Sequence, residues 1–115
     1  MFAKKIPAVF FAHESGAEPV RDWLKTLSRA DQKQIGDDIR LVEFGWPIGM
    51  PVCRPLGKGL YEVRTNLKGR IARVLFAVED GRMILLHAFI KKSQTAPDDI
   101  ALGRARLKTV RQGES

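Results

Sequence analysis

Between Leu60 and Ile90 the sequence runs through three apolar, β-prone segments with very little between them: Leu60 to Thr65, Ile71 to Val78 and Met83 to Ile90. The connections, Asn66-Leu-Lys-Gly69 and Glu79-Asp-Gly81, are turn chemistry. They have room only for a reversal, because parallel neighbours need a crossover of a dozen residues or more. The three segments therefore predict an antiparallel meander. The rest of the chain has to fold around it.

Upstream, the start MFAKKIPAVFFAHE carries positive charge before a short apolar run, as a signal peptide would. Pro7 interrupts that run, His13 and Glu14 end it, and no small-residue cleavage pattern follows. It reads as a first strand, and the expected location is cytoplasmic. Ser15-Gly-Ala-Glu18 has capping-box spacing, and Val20, Trp23, Leu24 and Leu27 then line one helical face. Ser28 with Asp31 can cap a second helix, in which Ile35, Ile39 and Val42 keep the period. Gly45 and Pro47 end it. The result is an α-hairpin with an apolar seam, in which Trp23 and Trp46 read as core residues.

Residues 47 to 59, with three prolines and three glycines, read as an ordered loop. Thr95, Pro97 and Asp98 begin a final helix through Val110, with Ile100, Leu107 and Val110 roughly on one face. Arg104, Lys108 and Arg111 share another face. The predicted order is β-α-α-β-β-β-α over a single domain, residues 1–115. It is a small α+β domain: an N-terminal strand and α-hairpin packed on a largely antiparallel sheet, followed by a C-terminal helix. Helices are expected on one sheet face only, leaving the other open.

Cys53 is the only cysteine, so no intramolecular disulfide forms. No Cys/His cluster has zinc-like spacing, and no metal or other cofactor is expected. No apolar stretch approaches a membrane span. The net charge of +7 is unevenly distributed. Residues 1–53 balance seven Lys/Arg with seven Asp/Glu, whereas residues 54–115 hold thirteen against six. Excess positive charge confined to one half suits nucleic acid, an acidic membrane or an acidic partner.

Charge also enters the strands. Glu62 and Arg64 share one strand face, Arg73 lies inside the next strand, and His87, Lys91 and Lys92 come at the end of the last. On an open face, Arg64, Arg73, His87, Lys91 and Lys92 would surround one end of the sheet, rimmed by Arg54 and Lys58. The Glu79-Asp80-Gly81 connection decides this. A three-residue loop with Gly81 as a bulge sets Arg73 opposite His87; a two-residue Asp80-Gly81 turn puts them on opposite faces. The bulged loop is expected, because Glu79 fits the apolar strand pattern poorly.

The run KGLYEVRTNLKGRIARVLFAVEDGRMILLHAFIKKSQTAP, with SGAEPVRDWL before it, resembles RelE/HigB-type toxins, especially their phage-derived HigB-like branch. The resemblance spans nearly the whole chain, through PLGKGLYEVR, RVLF and LLHAFIKK in order. It implies the toxin of a type II toxin–antitoxin system: a ribosome-dependent mRNA endonuclease neutralised by a small antitoxin, often with a helix-turn-helix domain. Arg64 falls where relatives carry Lys or Arg, Arg73 matches an arginine that contacts the scissile phosphate, and Lys91-Lys92 match a terminal basic pair. Relatives often place a tyrosine after that pair. Here SQTAP follows, the only tyrosine is Tyr61, and Phe89 is the candidate stacking substitute. Arg104 and Lys108 join Arg54 and Lys58 as candidate RNA contacts.

Such an enzyme can work without a metal by using the RNA 2′-hydroxyl as nucleophile. Arg64 cannot be the base, because a guanidinium stays protonated. Imidazole is the side chain whose ordinary pKa lies near neutrality, which makes His87 the first candidate for proton transfer, with Lys91 or Lys92 next. Two other functions stay open at this level: a nucleic-acid-binding module without catalysis, and a basic groove that receives an acidic protein.

Overall fold

The computed structural model describes residues 3–91 and 96–113. In chain order the elements are β1 (Ala8–Phe10), α1 (Pro19–Lys25), α2 (Arg29–Gly45), β2 (Cys53–Gly57), β3 (Leu60–Leu67), β4 (Arg70–Glu79), β5 (Arg82–Ile90) and α3 (Pro97–Gly113). The five strands form one sheet in the order β1-β5-β4-β3-β2, antiparallel except for β1 beside β5. The α+β fold and the meander are as the sequence predicts.

Five expectations are corrected. The Ser15 capping box does not form: Glu18 is the N-cap of α1 without a side-chain bond, and Ser15 instead accepts from the Ala17 amide at 3.4 Å. The 47–59 segment is not all loop, since β2 pairs along β3 as an edge strand. Its Pro55 is tolerated because an edge strand has one side without a ladder. The last helix continues past Val110 to Gly113. By contrast, Ser28 caps α2 as expected, accepting from the Asp31 amide at 3.1 Å.

The fourth correction matters most: neither face of the sheet is open. Val63, Leu67, Ala72, Val74, Phe76 and Leu85 pack under α1 and α2 with Val20, Ile35, Ile39 and Val42. The alternate set, Leu60, Leu75, Ala77, Ile84 and Leu86, packs under Ile100, Leu107 and Val110 of α3. The final helix had an apolar stripe to bury, and the second sheet face was the surface left for it.

The hairpin register also differs from expectation. Glu79 pairs with Arg82 across a two-residue turn, with Asp80 and Gly81 both in the left-handed region at φ 52° and 71°. That is the primed turn whose twist matches the strands. On its own it would turn His87 toward α1 and α2. A β-bulge at Leu86 intervenes: Phe76 pairs with Leu85, but Leu75 pairs with His87. The extra residue shifts the alternation by one, so Leu86 and His87 both face α3. Arg73 then pairs with Phe89, one step diagonal to His87 on the same face.

Elsewhere, Glu43 of α2 fixes the start of the chain. Its carboxylate accepts from the Ala8 amide at 2.6 Å and from Lys4 Nζ at 3.1 Å, and its carbonyl accepts from the Lys5 and Ile6 amides. Trp46 meets Tyr61 and Phe76 edge-on in the α1/α2 core, as a structural tryptophan would. On the other face, α3 lies so close at Gly103 that an added β-carbon would sit 3.1 Å from Leu75 Cδ1. Nothing lies within 4 Å of the same atom at Gly36 of α2.

The two helical glycines should therefore respond oppositely. Gly103→Val is expected to cost about 2 kcal/mol, because fully buried Leu75 has little room to move. Gly36→Ala is expected to gain about 0.5–1 kcal/mol from helix propensity alone. Urea unfolding midpoints of the two variants check both signs.

Candidate active centre and nucleic-acid interface

Strand alternation places Arg54, Glu62, Arg64, Arg73 and His87 on the α3 face. Arg54 pairs with Glu62, Arg64 with Arg73, and Arg73 with Phe89. At this end of the sheet β5 finishes, Lys91 continues the pairing through its amide to the Ile71 carbonyl, and α3 begins. Arg64, Arg73 and Phe89 thus form one row across β3, β4 and β5, His87 and Lys91 flank Phe89, and Arg54 lies three strands from His87 on the edge strand. Lys92 and Thr95 lie outside the described residues.

The expected cluster is nevertheless divided. Lys58 sits in the turn at the other end of β3, roughly 20 Å of extended chain from Arg64. Arg104 and Lys108 line a cleft there with Lys58, Leu107 and Arg111. Arg104 spends its guanidinium on the Leu56 and Gly57 carbonyls at 2.9 and 3.0 Å, closing the β2 edge onto α3. Arg111 pairs with Glu79 at 2.7 Å. The single basic concavity expected from the sequence is two basic regions, one at each end of α3.

Arg73 is also placed differently from a surface clamp. It is 2% exposed and donates from Nη1 to Glu62 Oε1 at 2.7 Å, with Glu62 fully buried. Two charges removed from water persist only when each satisfies the other. Phe89, at 9% exposure, belongs to the α3-side core and does not offer a face for a base to stack on. Its ring instead supports the polar groups above it. The His87 ring lies 5.2 Å away at a tilt of 33°, and Lys91 Nζ stands 5.1 Å over the centroid. Arg64 is half-buried, with no hydrogen bond or ion pair from its side chain among the described residues.

Two acidic residues complete the geometry, and neither was picked out as a site residue from sequence. Glu62 has the same strand parity as Arg64, which was the available signal. Asp99, in the first turn of α3, meets His87 Nε2 at 2.8 Å through Oδ1 and accepts from Lys91 Nζ through Oδ2. Burial pushes the Asp99 carboxyl up, but the hydrogen bonds from Lys91 and His87 outweigh it and hold the group below the usual carboxylate range. Asp99 is therefore ionised at neutral pH. Arg106, also on α3, donates to the Leu86 carbonyl at 2.8 Å, where the bulge interrupts the ladder. Burial lowers its pKa.

Cys53 supplies no nucleophile. Burial first, and then the Glu62 charge, push its thiol up to about 11. Among the described residues, no three His, Cys, Asp or Glu side chains gather as a metal site would need. Among the same residues, no helix is long and apolar enough to cross a membrane.

The buried pair should be costly to break and cheap to replace. Arg73→Met is expected to destabilise by about 3–5 kcal/mol because it takes the guanidinium away from the buried Glu62 carboxylate. Arg73→Met combined with Glu62→Leu should recover most of that loss. Chemical unfolding of the single and double variants measures the difference.

Neither a curated protein nor a solved structure gives a significant match to the chain. A family model does: Phage derived protein Gp49-like (DUF891), over residues 22–108. The matched span runs from α1 nearly to the end of α3 and includes every residue of the cluster around His87. This family is associated with RelE-like and toxin-like proteins. The α-hairpin, the bulged meander and the basic end of the sheet beneath α3 are thus those of a member of the phage-derived Gp49-like family, to which this chain belongs.

Proposed function

We propose that this protein is the toxin of a toxin–antitoxin pair and acts as a ribosome-dependent mRNA endonuclease. The observation that carries the reading is the cluster of His87 and Lys91 on Asp99 at the start of α3, with Arg64 and Arg54 further across the same sheet face. An imidazole among several cations is what RNA cleavage through its own 2′-hydroxyl needs. In that reaction O2′ bonds to phosphorus, the P–O5′ bond breaks, the 2′ proton passes to a base, and O5′ gains a proton. His87 takes the proton-transfer role. Arg64, Arg54 and Lys91 offset the charge that builds on the phosphorane. Arg73 stands behind them, its guanidinium held by Glu62. Lys92 enters this proposal through the family resemblance alone.

The opposite basic end, Lys58 with Lys108, suits the ribosome or the mRNA backbone beyond the cleavage point. A small antitoxin, expected to carry a helix-turn-helix domain, would neutralise the protein. Opposite potentials steer such an association toward the basic face.

One observation favours a second reading, a module that binds RNA without cutting it. The arginine matched to a phosphate ligand by resemblance is buried in an ion pair. Cleavage of mRNA on translating ribosomes decides between them. The expected products carry 2′,3′-cyclic or 3′-phosphate ends, and His87→Ala should lower the rate by about 10²–10⁴-fold. Products with 3′-hydroxyl ends, or no cleavage with binding intact, would remove the nuclease reading. Expression of the chain alone should arrest growth, and co-expression of the antitoxin should restore it.

The second basic end has its own test. Replacing Lys58 and Lys108 together with alanine should reduce the slope of log affinity against log salt by about 1.4 for single-stranded RNA. An unchanged slope would show that this end makes no phosphate contact.

A further inference from the structure

His87 has two ring nitrogens, and the structure has already committed one of them. Nε2 lies 2.8 Å from Asp99 Oδ1, and the other oxygen of that carboxylate accepts from Lys91 Nζ. An ionised carboxylate only accepts hydrogen bonds, so the hydrogen between the two groups belongs to Nε2. In the neutral ring the lone pair then falls on Nδ1. The pair is largely shielded, with side-chain exposures of 16% for His87 and 15% for Asp99, while Lys91 reaches further into solvent at 38%. Phe89 supports the ring from below, so the imidazole has contacts on one face and on one edge.

We propose that Asp99 is the positioning residue of this site: it fixes His87 with the hydrogen on Nε2, leaves Nδ1 to exchange a proton with an RNA 2′-hydroxyl, and keeps the Lys91 ammonium beside it. The fixed tautomer stands on geometry alone, whereas the task of Nδ1 rests on the nuclease reading above. Among the described residues, the charged groups on the elements around the ring fit this arrangement. Lys91 comes from the same strand, Asp99 and Arg106 from α3, and Arg73, already paired with Glu62, from the diagonal position across β4. Asp99 is thus the carboxylate that the imidazole edge meets. A histidine oriented by a half-buried carboxylate is ready to transfer protons without first reorganising. The helix supports the acid in turn, because a carboxylate in the first turn of α3 faces the positive end of the helix dipole.

The test uses the full chain with ¹⁵N-labelled histidine, comparing wild type with Asp99→Ala and Asp99→Glu by long-range proton–nitrogen correlation. At alkaline pH, where an imidazole is neutral, wild-type His87 should show a single tautomer with a slowly exchanging proton on Nε2. In Asp99→Ala that protected signal should vanish into exchange with water, and Asp99→Glu should restore part of it. A wild-type ring protonated on Nδ1 would overturn the proposal even if a variant failed to fold. So would a protected Nε2 proton that survives in Asp99→Ala. In the cleavage assay, Asp99→Ala should lower kcat at least tenfold, leave KM within threefold, and be partly rescued by glutamate. Unchanged kcat beside a cleaving wild type would end the positioning role. A wild type that does not cleave mRNA would instead end the nuclease reading and leave the tautomer result standing.

Discussion

A single extra residue in β5 sets the geometry on which the candidate site depends. The two-residue turn at Asp80-Gly81 fixes the register of the last hairpin from its closed end. Continued without interruption, that register would point His87 into the apolar layer beneath α1 and α2, where an imidazole would have little to bond with. The bulge at Leu86 shifts the remaining residues by one. Leu86 still reaches the core under α3, and His87, Phe89 and Lys91 follow on the same side. Arg106 then provides a donor for the Leu86 carbonyl where the ladder is broken. Bulges are common near functional sites because they re-aim side chains at small cost in packing.

The second constraint is α3 itself. Its close approach at Gly103 seals the middle of the sheet face, so only the two ends remain for polar chemistry. One end holds His87 and Lys91 on Asp99, with Arg64 and Arg54 further across the same sheet face. The other gathers Lys58, Arg104, Lys108 and Arg111, with Arg104 and Arg111 already engaged by carbonyls and a carboxylate. The helix thus turns one broad basic face into two, and its first turn supplies the acid that one of them lacked. Glu62 and Arg73 sit between the strands as a mutually neutralising pair, holding the arginine at a fixed depth below that end.

Much of the fold was legible because local rules agreed with one another. Short turn-rich connections required an antiparallel meander, and apolar residues at helical spacing required the α-hairpin. Ser28 capped the helix it was expected to cap. The site was legible only as a set of residues. His87, Lys91, Arg54 and Arg64 were identified from charge inside or beside strands. His87 and Lys91 share Asp99, while Arg64 and Arg54 lie two and three strands away on the same sheet face. Their acidic partners were missed because a carboxylate's role depends on which cation reaches it. Asp99 lies 12 positions from His87 along the chain, across a segment whose course no periodicity predicts.

By itself, the sequence determined most of the elements, the antiparallel meander, the uneven charge and membership in a family of phage-derived, toxin-like proteins. Those depend on spacing, turn chemistry and composition, which are written along the chain. Only the tertiary structure decided that α3 would cover the second face, that a bulge would return His87 to the side of Arg73, and that Arg73 would be buried against Glu62. The reason is the period of two in a strand. One residue more or less reverses every side chain beyond it, and whether the sheet accepts that residue depends on which helix waits to pack against each face.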